Sequence, residues 1–158
     1  MTIDKQQILA YLGEVKDPEI PVVDVVEMGI VRDVSMDAAG IRVVITPTYS
    51  GCPAMQVIEN DIMAELARRG LDRVRVDTVF APPWTTDWMT ESAKQKMMDF
   101  GISPPGKACD NPFAMGPAVC PYCGSHNTEV RAEFGSTACK ALHYCNGCIQ
   151  PFEHFKCI

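Results

Sequence analysis

No histidine occurs before position 126 of this 158-residue chain, and of its eight cysteines only Cys52 lies in the first hundred residues. A Cys–His hydrolase is therefore disfavoured, because a nucleophilic thiol needs a base beside it. Nor does any apolar run approach the roughly 20 residues of a membrane-spanning helix. The opening MTIDKQQILAYLGEV has neither the basic end nor the long apolar stretch of a signal peptide, so a cytoplasmic protein with no membrane partner is expected. A basic stripe is also missing: residues 1–100 carry 10 Lys+Arg against 16 Asp+Glu, and residues 101–158 carry 4 of each. Nucleic acid is a poor partner for such a surface. Finally, there is no Gly-rich dinucleotide fingerprint and no paired Glu-x-x-His motif for two irons.

The apolar pattern is that of a small α/β (α+β) protein. Ile8, Leu12 and Val15 recur at helical spacing behind Asp4, a suitable N-cap, with Gln7 three residues on. Pro18 and Pro21 then hold an extended or turn segment. IVRDVSM (30–36) and IRVVIT (41–46) read as paired strands around the turn DAAG. Ala54, Ile58, Ile62 and Leu66 make an amphipathic helix over 53–69, stopped by Gly70. RVRVDTVF (73–80) is expected as a half-buried strand with Val74, Val76, Thr78 and Phe80 on one face. A last helix begins near Thr86 or Asp87 and places Met89, Ala93, Met97 and Phe100 on one side, ending at Gly101. The expected organisation is an α/β domain over 1–104, with helices on a three-stranded sheet, a Pro/Gly-rich linker over 105–118, and a small β domain over 119–158.

That last domain is set by CPYC (Cys120, Cys123) and CNGC (Cys145, Cys148), separated by 21 residues. Four thiolates so spaced close a tetrahedral site, each pair making a knuckle and the intervening residues a hairpin. About forty residues bury too little apolar surface to fold alone, and a structural metal makes up the deficit. A structural zinc ribbon is the leading reading. An iron–sulfur cluster also accepts four cysteines, and a thioredoxin-like redox pair is a third reading. Cys139 and Cys157 are expected to fill the ribbon core as small hydrophobes, ahead of a second metal site formed with Cys109. His126, His143 and His154 are not needed as ligands.

Cys52, in TPTYSGCPAM, falls between a strand and a helix whose first residue is expected to be Pro53. At that N-cap a thiolate is stabilised by free N–H groups and the helix dipole, which lowers its pKa. The competing reading is a buried cysteine at an ordinary corner. Carboxylates stand nearby in DPEIPVVDVVE (Asp17, Glu19, Asp24, Glu27), a set suited to a transient iron site and equally to a solvated loop. Trp84, in a loop after a strand, is a candidate partner-docking residue; Trp88 is expected in the core.

DPEIPVVDVVEMGIVRDV, TPTYSGCPAM and PPWTTDWMTESAKQKM together resemble the SufT-like iron–sulfur assembly family. With CPYCGS, FGSTACKALHYC and PFEHFKCI the whole chain resembles the D-component family of bacterial phenylacetyl-CoA epoxidase systems, which act in phenylacetate degradation. The resemblance implies a non-catalytic accessory protein that helps mature an iron or iron–sulfur centre in the oxygenase or reductase components. It places the family's reactive cysteine at Cys52 and its acidic residue at Asp24, with Glu19 in the same segment. Zinc is the implied structural cofactor and iron or a cluster a transient passenger. The alternatives are a stoichiometric docking component in which Cys52 is structural, and a thiol redox enzyme using CPYC or CNGC. A site shared across a homodimer is a further expectation of the family.

Overall fold

The computed structural model describes residues 2–106 and 118–158. By contact the chain divides into two compact units, one running to Trp84 with Trp88–Thr90 added, the other made of Thr85–Asp87 and Glu91–Ile158.

The first unit holds α1 (Lys5–Leu12), β1 (Val31–Asp37), β2 (Gly40–Ile45), α2 (Ala54–Arg68) and β3 (Val74–Thr78). Asp4 caps α1, its Oδ1 accepting the Gln7 N–H at 2.8 Å. β1 and β2 form an antiparallel hairpin whose turn is tied by Asp37 Oδ1, acceptor from the N–H groups of Ala39 and Gly40. β3 runs parallel to β2, which requires a crossover, and α2 supplies it. Ile58, Ile62 and Leu66 of α2 are fully buried with Ile8 and Leu12 of α1 and Val43 and Ile45 of β2. Each such side chain contributes about 1.5–3 kcal/mol by leaving water. The expected three-stranded sheet and the first two of the three expected helices are present in this unit. Phe80 departs from expectation: β3 ends at Thr78, and Phe80 is 61% exposed in the following loop.

Parallel pairing fixes where the loops lie. Ile45 is opposite Thr78, and Val31 is opposite Ile45. The segment before β1 (17–30), the loop after β2 (46–53) and the loop after β3 (79–84) therefore all gather at one end of the sheet. Hydrogen bonds from Thr46 N–H to Ile30 O (2.9 Å) and Val79 N–H to Ile45 O (2.9 Å) continue the ladder into them.

The second unit contains a 3-10 turn at Thr86–Trp88 in part, α3 (Glu91–Phe100), β4 (Ile102–Ser103), β5 (Thr128–Ala132), β6 (Lys140–Cys145) and β7 (Gln150–Phe155). β5, β6 and β7 form an antiparallel ribbon, and β4 joins it by parallel pairing with β7. α3, read from the sequence as part of the first layer, instead contacts β4. Most of the expected 105–118 linker, and Cys109 within it, lies outside the described residues. No helix among the described residues is long and apolar enough to cross a membrane.

Candidate functional site

Cys52 is half-buried in the loop after β2. Gly51, at φ +80°, turns the chain, and the Cys52 N–H donates to Tyr49 O at 3.2 Å. The helix begins one residue later than expected: Pro53 is the N-cap of α2, and Cys52 precedes it. The Ala54 N–H and the hydroxyls of Tyr49 and Thr48 all bond the Cys52 sulfur and favour its ionised form. Burial outweighs them. It pushes the thiol above its ordinary range, and the negative charge of Glu19 adds to that rise. The expected depression at a helix start is therefore overturned, because desolvation of a half-buried thiolate costs more than three donors return. At neutral pH the free site holds a thiol, and a cation must displace the proton to bind.

The carboxylates divide by role. Glu19 is the one whose charge acts on Cys52. Asp17, buried, turns the chain, its Oδ1 accepting the N–H groups of Glu19 and Ile20 at 2.8 and 2.9 Å. Asp24 Oδ1 accepts the N–H groups of Val26 and Glu27, while Glu27 Oε1 accepts the Asp24 N–H at 3.0 Å. This reciprocal pair is a capping box at the start of a single helical turn. The turn ends at Gly29 (φ +75°), with Ile30 N–H bonded to Val25 O and Gly29 N–H to Val26 O, the pattern of a Schellman closure. Asp24 thus has one oxygen committed to the backbone, and burial raises its pKa. The spacing D-x-x-E in DVVE carried that signal in the sequence. Thr48 and Tyr49 are the hydroxyl residues just upstream of Cys52 in TPTYSGCPAM, and the curl of the loop brings both hydroxyls to its sulfur.

Trp84 does not serve as an exposed docking residue. Its ring is 3% exposed, and its Nε1–H donates to Met28 O at 3.0 Å. A large ring with one polar atom finds both an apolar wall and an acceptor here. It thereby ties the loop after β3 to the 17–30 segment. Trp88 has Arg32 stacked 3.5 Å from its ring centroid.

In the second unit the four predicted ligands converge. The sulfurs of Cys120, Cys123, Cys145 and Cys148 all lie within 4.8 Å of one another, with Cys120–Cys148 at 3.6 Å and Cys123–Cys145 at 3.5 Å. A tetrahedral ion with metal–sulfur bonds of about 2.3 Å separates its sulfurs by about 3.8 Å, so the set fits zinc. N–H groups of Tyr122 and Cys148 point at the sulfurs of Cys120 and Cys145. The Cys148 N–H leads in drawing Cys145 down to about 7, whereas desolvation drives Cys148 up to about 12. Four thiolates cannot coexist there without a cation, and one divalent ion removes the conflict. Ala118 and Phe152 pack against Cys120 and Cys145 as a small core.

Of the other cysteines, Cys139 is buried as expected. Cys157, expected as a core filler, is disulfide-bonded instead. His143 is fully buried with neither ring nitrogen hydrogen-bonded, and His154 Nδ1 lies 3.1 Å from Ser103 O.

Residues 5–79 match the family described as iron-sulfur cluster assembly protein, and residues 114–156 match the PaaD zinc beta ribbon domain. The chain is 44% identical to the D component of the putative 1,2-phenylacetyl-CoA epoxidase of Escherichia coli, over 96% of this chain and 92% of that one. It is 39% identical to the Fe-S protein maturation auxiliary factor YitW of Bacillus subtilis, over 57% of this chain and 89% of that one. A crystal structure of a DUF59 domain from Bacillus anthracis, a domain of unknown function, superposes with TM-score 0.55 at 31% identity. It covers 59% of this chain and 90% of that one. A conserved hypothetical protein of Thermotoga maritima gives 0.52 at 31%, covering 61% and 98%.

Proposed function

The chain belongs to the family of the phenylacetyl-CoA epoxidase D component, an iron–sulfur assembly domain joined to a PaaD zinc ribbon, and on that premise we propose that it is a non-catalytic accessory protein of iron–sulfur handling. Its task is to help mature the iron or iron–sulfur centre of the epoxidase oxygenase or reductase components. The observation that carries this reading is Cys52, half-buried in the loop after β2 at the end of the sheet, with the Glu19 carboxylate near enough for its charge to act on the thiol. One soft and one hard anionic donor suit ferrous iron. They also leave most coordination positions free for water or for a recipient's own ligands, as a transfer site requires.

The chemistry follows from the raised thiol. Iron enters as the cargo, displaces the Cys52 proton, and is charge-balanced by Glu19; the Tyr49 and Thr48 hydroxyls and the Ala54 N–H then hold the thiolate in place. Metal binding releases a proton, and acid returns the thiol and frees the metal. Asp24 acts at one remove, holding the turn that follows Glu19. The ribbon takes zinc at Cys120, Cys123, Cys145 and Cys148 with no open position, so the zinc is structural.

Cys52→Ser in cells tests the reading by the iron content of the purified oxygenase and reductase components and by epoxidase activity. Wild-type values for all three would defeat it. A second reading, a stoichiometric component of the complex in which Cys52 is structural, is favoured by the name of the E. coli relative, which describes a part of the epoxidase itself. Retention of this chain with the oxygenase through size-exclusion chromatography at fixed stoichiometry would support that alternative.

A further inference from the structure

At the same end of the sheet as Cys52, the loop after β3 presents Phe80, Ala81, Pro82 and Pro83, all exposed and consecutive. Phe80 keeps 61% of its surface in water, and next to it the two prolines offer no N–H and hold φ fixed. The loop is pinned at both ends, by Val79 N–H to Ile45 O and by the buried Trp84, whose indole bonds Met28 O. An exposed aromatic on a stiff loop loses little entropy when a partner covers it. The neighbouring loop segments carry only acidic charge, with Glu19 and Asp24 partly exposed and Asp17 and Glu27 buried, and the exposed Lys5, paired with Asp33, stands near them. Residues 17–30 hold Asp17, Glu19, Asp24 and Glu27 and no Lys or Arg, and the loops 46–53 and 79–84 hold no charge at all. At the borders of this region Lys16 acts on Asp24, and Arg32 is stacked on Trp88. Arg42 and Arg75 both face Asp77, one residue short of the Ile45–Thr78 pair at the Cys52 end, while Arg69, paired with Glu65, and Arg73 lie toward the opposite end.

We propose that the Phe80–Pro83 loop is the docking surface for the protein that receives metal from Cys52, and that this recipient offers a basic segment with an apolar pocket or side chain for Phe80. The proposal rests on the transfer reading of Cys52 and adds the chemistry of the partner. Opposite charge steers encounter and selects partners, while the buried aromatic supplies hold. A second copy of this chain is disfavoured as occupant: its matching loops are equally acidic, and its Arg42 and Arg69 are already paired with Asp77 and Glu65.

The test uses the full chain, zinc-loaded, with the oxygenase and reductase components of the epoxidase purified as apoproteins, and measures both binding and iron delivered. Phe80→Asp is expected to weaken binding of the recipient component by about tenfold or more and to slow iron delivery in proportion. Met36→Asp, at the hairpin end where Met36 is 46% exposed, should leave both unchanged. Binding of wild type should also fall steeply as salt rises. Cys52→Ser should bind normally and deliver no iron. Unchanged binding by Phe80→Asp, or no binding of either component by wild type, overturns the docking surface whatever Cys52 does. Self-association of this chain that Phe80→Asp abolishes also overturns it, in favour of a second copy. Normal iron delivery by Cys52→Ser overturns the transfer reading and leaves the docking result standing on binding alone.

Discussion

Gly29→Ala gives a quantitative test of how the Cys52 end of the sheet is held. Gly29 has φ +75°, where an alanine is strained by about 1–2 kcal/mol. A Cβ there would also lie 2.7 Å from both Trp88 Cβ and Trp88 O. Relief requires the backbone around Trp88 to move, since no flexible side-chain end is involved. Overpacking of this kind costs about 1–3 kcal/mol more, so the expected loss is about 2–5 kcal/mol. Gly70 is the matched control. It has φ +82° at the end of α2, but a Cβ there meets nothing within 4 Å, so Gly70→Ala should lose only the conformational part. Both tryptophans of the chain, Trp84 and Trp88, belong to the first unit, and their fluorescence during urea unfolding reports that unit alone. Gly29→Ala should lower the midpoint by at least about 1 M and clearly more than Gly70→Ala does. Equal shifts for the two variants would refute the close approach of Gly29 to Trp88.

Two further outcomes follow from the titration of Cys52 and from the four-cysteine cluster. Alkylation of Cys52, followed by peptide mass spectrometry, should show a half-reaction pH above that of an ordinary thiol. Glu19→Gln should move it down by removing a repelling charge and Tyr49→Phe should move it up by removing a donor; a shift of either in the opposite sense contradicts the geometry. Purified protein should contain about one zinc per chain, and Cys145→Ser, at a fully buried ligand position, should abolish it. Hydrogen exchange should then accelerate in β5, β6 and β7 while tryptophan emission stays native. Retained protection in those strands would show that the ribbon does not depend on metal.

Much of this was legible from residue order alone, where the physics is local. The spacing of Ile58, Ile62 and Leu66 dictates a one-sided helix, and Gly70 at positive φ ends it, because both effects act within a few residues. The two C-x-x-C pairs likewise specify a ligand set, since a knuckle places its own two thiols and a hairpin must bring the second pair. The capping box at Asp24 and Glu27 belongs to the same class. Its spacing is local too, and the turn it makes commits one Asp24 oxygen to the backbone.

What required the folded chain was every property set by distant neighbours. Dipole and donors at a helix start argued for a low Cys52 pKa, but the sign is decided by burial and by Glu19, 33 positions earlier in the sequence. Trp84 and Phe80 exchanged their expected places because a strand end and an available carbonyl, that of Met28, decide which ring is covered. α3 went to the second unit because its apolar stripe specifies only that it be buried, not against what. Residue order alone determined most of the elements and the four cysteines that gather in the second unit. Tertiary structure decided which carboxylate acts on Cys52 and which aromatic ring stays in water, since burial and electrostatic coupling depend on distance in space and not on distance along the chain.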